Sequence, residues 1–501
     1  MKNKTGVCRA LLLVGMGLMI PCYLFTAGNT LLSPWPLYDR NRLALCLLTP
    51  LCLLLLLLLG HAAKAKVFET HERAVLLGFA AFYFVIQLVM ASALRFTPVT
   101  DLEQCVTAAR RLAQTGAFGD SERSLIYFGR YPHNMGLVYL LAGIFKAADA
   151  LGADELMAAA LVCGLLFSMG LLCAARLCRR LGGAQAQARA LLLFATCLPF
   201  LYCTSELYTD AFSVAFAPMI VFAFLKARDA GSRKERALWA LLFAGCTFFG
   251  AQIRFPTIIA AIACLIAALF EKRAKLTALL AAPLALVFAV GGSAVNAANK
   301  ANLGAANIAQ NKLPKLHYIA MGLPVQSDEG YGQYGYGGWL IFSTSFDDPQ
   351  ARDEALRQEI VDRAYTLAHH PAQLLSTLSR KNLSTFGRGT FNLNEIFEAD
   401  AHEADNAVKQ AVFENGRFNR AYTHLATAMF VAQMALACIA CIQAIRRRDT
   451  RAAPLFLTLL GAFLFLSIWE TRARYFFQFM MILLCAGAMF ETPSTHAAQK
   501  A

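Results

Sequence analysis

The chain has 501 residues, of which 58% are hydrophobic and only 16% charged, with a formal net charge of +14. Its apolar residues fall in blocks of about seventeen or more, the length that crosses about 30 Å of hydrocarbon, which excludes a soluble globular or a disordered protein. In a soluble protein such a charge would suggest a nucleic-acid partner; here the placement of Lys and Arg between the apolar blocks decides its meaning, and no nucleic acid is expected.

The first apolar block, around residues 7–28, follows Lys2, Lys4 and Arg9. No small-residue cleavage site leads from it into a soluble domain and further blocks follow at once, so it reads as an uncleaved first helix. Spans are expected near 7–28, 43–60, 73–96, 156–178, 188–205, 210–226, 236–252, 254–270, 275–295, 421–444, 453–469 and 473–490. With the N-terminus inside, the inner connections carry Lys64/Lys66/Arg73, Arg176/Arg179/Arg180/Arg189, Lys226/Arg228/Arg233/Lys234/Arg236, Lys272/Arg273/Lys275 and Arg446/Arg447/Arg448/Arg451, and all of them obey the positive-inside rule. The outer side then receives residues 97–155, the turn from Glu206 to Asp210, Arg254, the stretch 297–420, and Glu470 to Arg474. The fifteen cysteines sit in apolar blocks, Cys105 being the main exception, and no pair of CxxC motifs occurs; they read as small buried hydrophobes.

The first outer loop opens on Thr100-Asp101-Leu102-Glu103 and runs as polar sequence to Tyr127-Phe-Gly-Arg-Tyr-Pro-His-Asn134. Two carboxylates at the mouth of a membrane protein cost little in water and much in lipid, so they are plain loop residues or the working end of a site. Residues 134–145 are mainly apolar before Lys146 and Asp149 intervene, too short to span, and are expected as an interfacial or re-entrant helix on the outer face. Counting them as a span would invert every later loop.

Residues 297–420 form the only large soluble stretch. Its Gly330 to Trp339 run turns repeatedly. Asp348 is placed as an N-cap with Pro349 at the first helical position, and Leu356, Ile360, Ala364 and Leu367 follow at helical spacing until His369-His370-Pro371 breaks the helix. A second helix is expected to about Arg380. The division is therefore 1–296, a transmembrane region holding the first outer loop; 297–420, a small mainly helical outer subdomain; and 421–501, the last helices with a short cytoplasmic tail.

The order of an outer loop with Asp101, Tyr127-Phe-Gly-Arg-Tyr-Pro132, a long interfacial segment, the Tyr208-Thr-Asp210 turn and a late Glu470-Thr-Arg-Ala-Arg-Tyr475 resembles the GT-C membrane glycosyltransferases. The nearest branch holds the protein O-mannosyltransferases and the lipid A aminoarabinose transferases, called family 39 or 83 enzymes in bacteria. The resemblance implies an all-α polytopic membrane protein of about twelve spans, with interfacial outer helices, that uses a polyprenyl-phosphate sugar donor. It implies Asp101 as general base and Glu103 as the second acid of a variable two-carboxylate motif. The aromatic-basic-proline motif of the aminoarabinose branch has a lysine beside its proline; here Tyr131 stands between Arg130 and Pro132, which displaces the basic residue by one.

The residue chemistry leads the same way. Transfer from a sugar phosphate needs a base for the acceptor hydroxyl, cations for the departing phosphate and an apolar groove for the lipid. Asp101 supplies the base; Arg130, Arg254, Arg472 and Arg474 all fall at the outer face, and arginine's planar fork suits a phosphate. Tyr131, Asn134, Glu206 and Asp210 are candidate substrate contacts, although the two acids equally suit helix caps. Arg472 and Arg474 also suit interfacial anchors paired with Glu470. The need for a divalent metal ion stays open, the His residues reading as loop or cap residues. The expected partners are the sugar donor, an acceptor protein, lipid or cell-wall polymer, and membrane lipids, at the plasma membrane. A transporter or flippase of envelope precursors is the rival reading; it would favour repeated halves and broken midplane spans.

Overall fold

Arg42–Ala62 illustrates how this sequence makes its helices and orients them. Leucines supply strong helix propensity, and the side chain of Asn41 caps the first turn by accepting from the Ala44 N–H at 3.1 Å. Leu45, Thr49, Cys52, Leu56 and Gly60 are buried at spacings of three and four, whereas Leu43, Leu47, Leu51, Leu54 and Leu58 on the other side are each more than half exposed. An exposed leucine face of that length has hydrocarbon as its solvent.

The computed structural model describes residues 2–35, 41–63, 65–94, 97–119, 121–326, 329–393, 406–413 and 416–491, and among these every regular element is a helix. Eight helices, not twelve, meet the length and composition of a membrane span on their own: Gly6–Leu32, Arg42–Ala62, Ala65–Ala93, Glu155–Ala195, Thr209–Asp229, Arg233–Ile253, Ala274–Leu303 and Asn419–Arg446. Three more apolar helices, Phe255–Phe270, Ala453–Ile468 and Ala473–Ala488, are shorter. The difference arises partly because the expected spans 156–178 and 188–205 belong to one 41-residue element, which breaks at Gly182 and at Gly183, whose φ of 74° favours glycine. That element stops at Ala195, and residues 198–205 are short turns of 3-10 helix. The end of the third expected span at Phe96, the basic residue Lys64 and the tail beyond 491 lie outside the described residues.

Thr209–Asp229 and Asn419–Arg446 form the centre of the bundle, with 89% and 78% of their most apolar windows buried, against 6% for Ala274–Leu303 at the periphery. Of residues 134–145, Asn134 closes a short 3-10 turn and the rest belong to the Met135–Ala150 helix, which buries Leu137, Val138, Leu141 and Phe145 against its neighbours.

The polar loop expected after residue 97 is largely helical. Thr100–Thr115 buries Leu102, Cys105, Val106 and Ala109 at i, i+3, i+4 and i+7, and Glu122–Arg130 follows. The helix Ala274–Leu303 runs through the expected start of the outer subdomain at 297 and ends at Gly304. Beyond it come Ala305–Asn311, Lys315–Met321, Trp339–Thr344, Pro349–His369 and Pro371–Phe386. Asp348 does cap its helix, accepting from the Gln350 and Ala351 N–H groups at 3.0 and 3.2 Å, and His370-Pro371 does separate the two long helices, the second running to Phe386.

Candidate active site

The charged side chains of the central cluster at one end of the bundle come from helix starts or breaks between helices. Asp101 lies in the first turn of Thr100–Thr115, Asp210 in the first residues of Thr209–Asp229, and Arg254 is an extended residue between Arg233–Ile253 and Phe255–Phe270. Arg472 is extended in the same way before the Ala473–Phe479 turn, which contains Arg474. Thr100 and Leu207 hold φ values of 54° and 49°, a region that costs a side-chain-bearing residue about 1 kcal/mol or more, and they precede the site residues Asp101 and Tyr208.

Asp210 is fully buried and carries the cluster. Its Oδ1 lies 3.0 Å from Arg254 Nε and its Oδ2 lies 3.5 Å from Arg474 Nε. Arg254 also donates from Nη1 to Thr209 Oγ1 at 2.7 Å and stacks 4.4 Å from the centre of the Tyr475 ring. Arg474 stands 5.3 Å from the Tyr208 ring and turns Nη2 to within 3.9 Å of Asp101 Oδ2. Asp101 differs from Asp210 in access: 44% of its side chain is exposed, against none for Asp210. It accepts hydrogen bonds from Tyr127 Oη at 2.8 Å and Tyr208 Oη at 3.5 Å. Burial, followed by the charge of Asp101, raises the Tyr208 phenol well above its usual range; burial and the neighbouring Tyr208 and Asp101 do the same to Tyr127, so both remain donors.

An aromatic wall surrounds this core. Tyr131 and Tyr334 meet through their hydroxyls, which joins the segments 97–155 and 297–420 at one end of the bundle. Asn134 donates to Tyr127 Oη at 2.9 Å. Tyr318 stacks on Trp469 with ring centres 5.1 Å apart, and its buried hydroxyl has no hydrogen-bond partner among the described residues. His133 is exposed at the edge of this wall, its ring edge-on to Tyr131 and Tyr318 with centres 6.1 and 6.4 Å away.

Glu470 and Lys381 support the wall from behind. Tyr475 donates to Glu470, and burial lifts that carboxyl to about 7 despite the opposing charges of Arg472, Arg474 and Arg254. Lys381 is buried and donates to the carbonyls of Gly322 and Trp469, which ties Lys315–Met321 to the Glu470 turn; burial lowers its ammonium to about 7. Gly322 permits the approach, since a Cβ there would stand 2.3 Å from the Ile468 carbonyl.

The structure brings together Asp101, Asp210, Arg254, Arg474, Tyr131 and Asn134, with Arg472 at the edge donating to the Tyr334 carbonyl at 3.4 Å. Arg130 is close enough to act electrostatically on Tyr131 and Tyr334, and its buried Nε has no hydrogen-bond partner among the described residues. Glu103 is not brought in. Two helical residues beyond Asp101, it points about 200° away and is exposed. Glu206 is likewise separate, buried among Cys163, Cys203 and Tyr202. Sequence reasoning missed Tyr127, Tyr208, Glu470 and Lys381 as participants. The first three lie inside motifs already noted, whereas a lone lysine in a helix gives no local sign of burial.

Among the described residues no three His, Cys, Asp or Glu side chains converge as metal ligands. Arg254 and Arg474 occupy Asp210, so the donor set fits arginine-bound anions better than a divalent ion. No curated protein and no solved structure matches the chain. A family model described as "conserved hypothetical integral membrane protein" matches residues 41–495, which include every residue of the cluster, and the chain therefore belongs to that family of integral membrane proteins.

Proposed function

We propose that the protein is a membrane glycosyltransferase that moves a sugar from a polyprenyl-phosphate carrier to an acceptor hydroxyl, with inversion, on the outer face of the plasma membrane. The observation that supports it best is the division of labour between two aspartates. An accessible Asp101 lies 3.9 Å from Arg474, while a buried Asp210 fixes Arg474 and Arg254 in place.

On this reading Asp101 takes the proton from the acceptor hydroxyl as its oxygen bonds to the sugar carbon. The bond from that carbon to the phosphate oxygen breaks, and polyprenyl phosphate leaves with the electron pair. Arg254, Arg474, Arg472 and Arg130 outnumber the carboxylates around them, which suits the charge that develops on the departing phosphate. Tyr127 and Tyr208 aim Asp101, and the exposed apolar faces of the bundle take the polyprenyl chain. The outer location rests on the basic connections at the other ends of the spans. The reading keeps twelve crossings by counting both arms of the broken Glu155–Ala195 helix and the three shorter apolar helices, with residues 297–420 as an outer subdomain.

The test is to incubate purified protein in detergent with labelled polyprenyl-phosphate hexoses or pentoses and an envelope fraction. Label transferred to an acceptor, and lost in Asp101→Asn, is the expected result. A transporter or flippase would transfer no label in detergent but would move a carrier lipid across a sealed vesicle.

A further inference from the structure

At the opposite end of the central Thr209–Asp229 helix lies a cavity of about 430 Å³ lined by Arg176, Arg179, Arg180, Lys226, Glu72, Phe222 and Trp239. Asp210 and Lys226 stand sixteen residues apart on that helix, about 24 Å at 1.5 Å per residue, so the cavity is separated from the aspartate cluster by most of the membrane.

Three of its arginines occupy i, i+3 and i+4 of one helix, where they repel one another unless an anion intervenes. Two are matched within the protein. Arg179 Nε lies 3.4 Å from Glu72 Oε2 and its Nη1 donates to Gln187 at 3.2 Å, while Arg180 Nη1 lies 2.9 Å from Asp229 Oδ2. Among the described residues Arg176 makes no hydrogen bond or ion pair, and Lys226 reaches one carboxylate, Glu235, at 3.8 Å. Lys226 instead sits 5.1 Å from the Trp239 ring, which meets Phe222 edge to face at 5.7 Å. Among the described residues the cavity therefore combines one cation without an ion pair, one held by a long ion pair, two anchored ones and an aromatic shelf.

We propose that this cavity binds a phosphate-bearing anion through Arg176 and Lys226, with Trp239 and Phe222 covering the apolar part that adjoins the phosphate. The shared chemistry is a phosphate carrying one to two negative charges, supplied by an anionic phospholipid headgroup or by a soluble phosphate compound. The site is independent of the glycosyltransferase reading, because none of its residues belongs to the aspartate cluster.

The full chain in lipid nanodiscs provides the test. Brominated phosphatidylglycerol and brominated phosphatidylcholine, each at one fifth of a phosphatidylcholine disc, are compared as quenchers of Trp239 fluorescence, with Trp239→Phe isolating that signal. Phosphatidylglycerol is expected to quench more, and Arg176→Gln is expected to weaken the apparent binding about fivefold, the factor for one surface cation. Arg176→Lys keeps the charge and the preference; since Arg176 has no ion pair with a described residue, both variants should fold, which a melting curve checks. Pyrophosphate added to pure phosphatidylcholine discs covers the soluble source. A Trp239 response to pyrophosphate without a lipid preference assigns the site to a soluble phosphate. Equal quenching by both lipids with no pyrophosphate response, or a preference unchanged in Arg176→Gln, would overturn the proposal.

Discussion

Asp210 holds Arg254 in a buried ion pair, Oδ1 to Nε at 3.0 Å, with no exposure of the carboxylate and 13% exposure of the arginine. Removing one partner of such a pair strands the other charge, which costs about 3–5 kcal/mol, whereas removing both together costs less. Asp210→Asn and Arg254→Gln are each expected to lower thermal stability markedly. The double variant should fall well short of the sum of the two losses. A double-mutant cycle by thermal unfolding in detergent measures the coupling, and additive losses would mean the pair is not formed.

Asp101→Asn keeps the side-chain shape but cannot accept a proton, so turnover is expected to drop about 10²- to 10⁴-fold with donor affinity nearly unchanged. Glu103→Gln, on the exposed side of the same helix, should leave turnover close to that of the native protein. A rate assay with labelled polyprenyl-phosphate sugar reads both. A folded Asp101→Asn protein that transfers at the native rate would end the general-base assignment.

Under the proposed reaction, Arg474, 3.9 Å from Asp101, meets the donor phosphate. Arg474→Met should weaken donor binding by roughly 1.5–3 kcal/mol, the range for a charge-assisted hydrogen bond. Equilibrium binding of a fluorescent polyprenyl-phosphate analogue checks it. Unchanged affinity in this variant would leave Arg474 as a structural partner of Asp210 alone.

Glu470 and Lys381 predict an unusual dependence of stability on pH. Burial raises the Glu470 carboxyl from 4.5 to about 7, so its neutral form is favoured by folding; that stability is complete below about 4.5 and is lost as pH rises through about 7. The loss is roughly 3 kcal/mol. Lys381 acts with the opposite slope: its ammonium is lowered from 10.5 to about 7, the unfolded chain holds the extra proton between those values, and stability returns as pH rises above about 7. The melting temperature should therefore pass through a minimum near neutrality. Glu470→Gln should flatten the acid limb only, and an unaltered acid limb would refute the assignment.

Gly136 lets the Met135–Ala150 helix approach the end of Arg233–Ile253, where an added Cβ would stand 2.1 Å from the carbonyl oxygen of Gln252. Gly136→Ala should cost about 1–3 kcal/mol as the two helices separate, and should weaken donor binding because Arg254 follows two residues later. Melting and donor-binding measurements on the one variant test both effects.

Much of this protein is legible from local chemistry. The leucine blocks, the stripe of buried residues on Arg42–Ala62, the Asp348 cap and the break at His370-Pro371 all follow from hydrophobic period and capping, which act over a few residues. The expense of charge in hydrocarbon likewise marks Asp101, Asp210, Arg254 and Arg474 as residues at the ends of spans. The same cues, applied to Leu102, Cys105, Val106 and Ala109, would have exposed a helix where a loop was expected. Tertiary packing alone decided the rest. Asp210 and Arg474 lie more than 260 positions apart, and nothing between them in the chain encodes that they share a buried ion pair. Helix phase, set by how Thr100–Thr115 packs, separates Asp101 from Glu103, and the burial of Lys381 against Gly322 and Trp469 depends on which helices meet there. Periodicity tells a residue which side of its own helix is apolar; only the packed bundle determines which charges face one another across it.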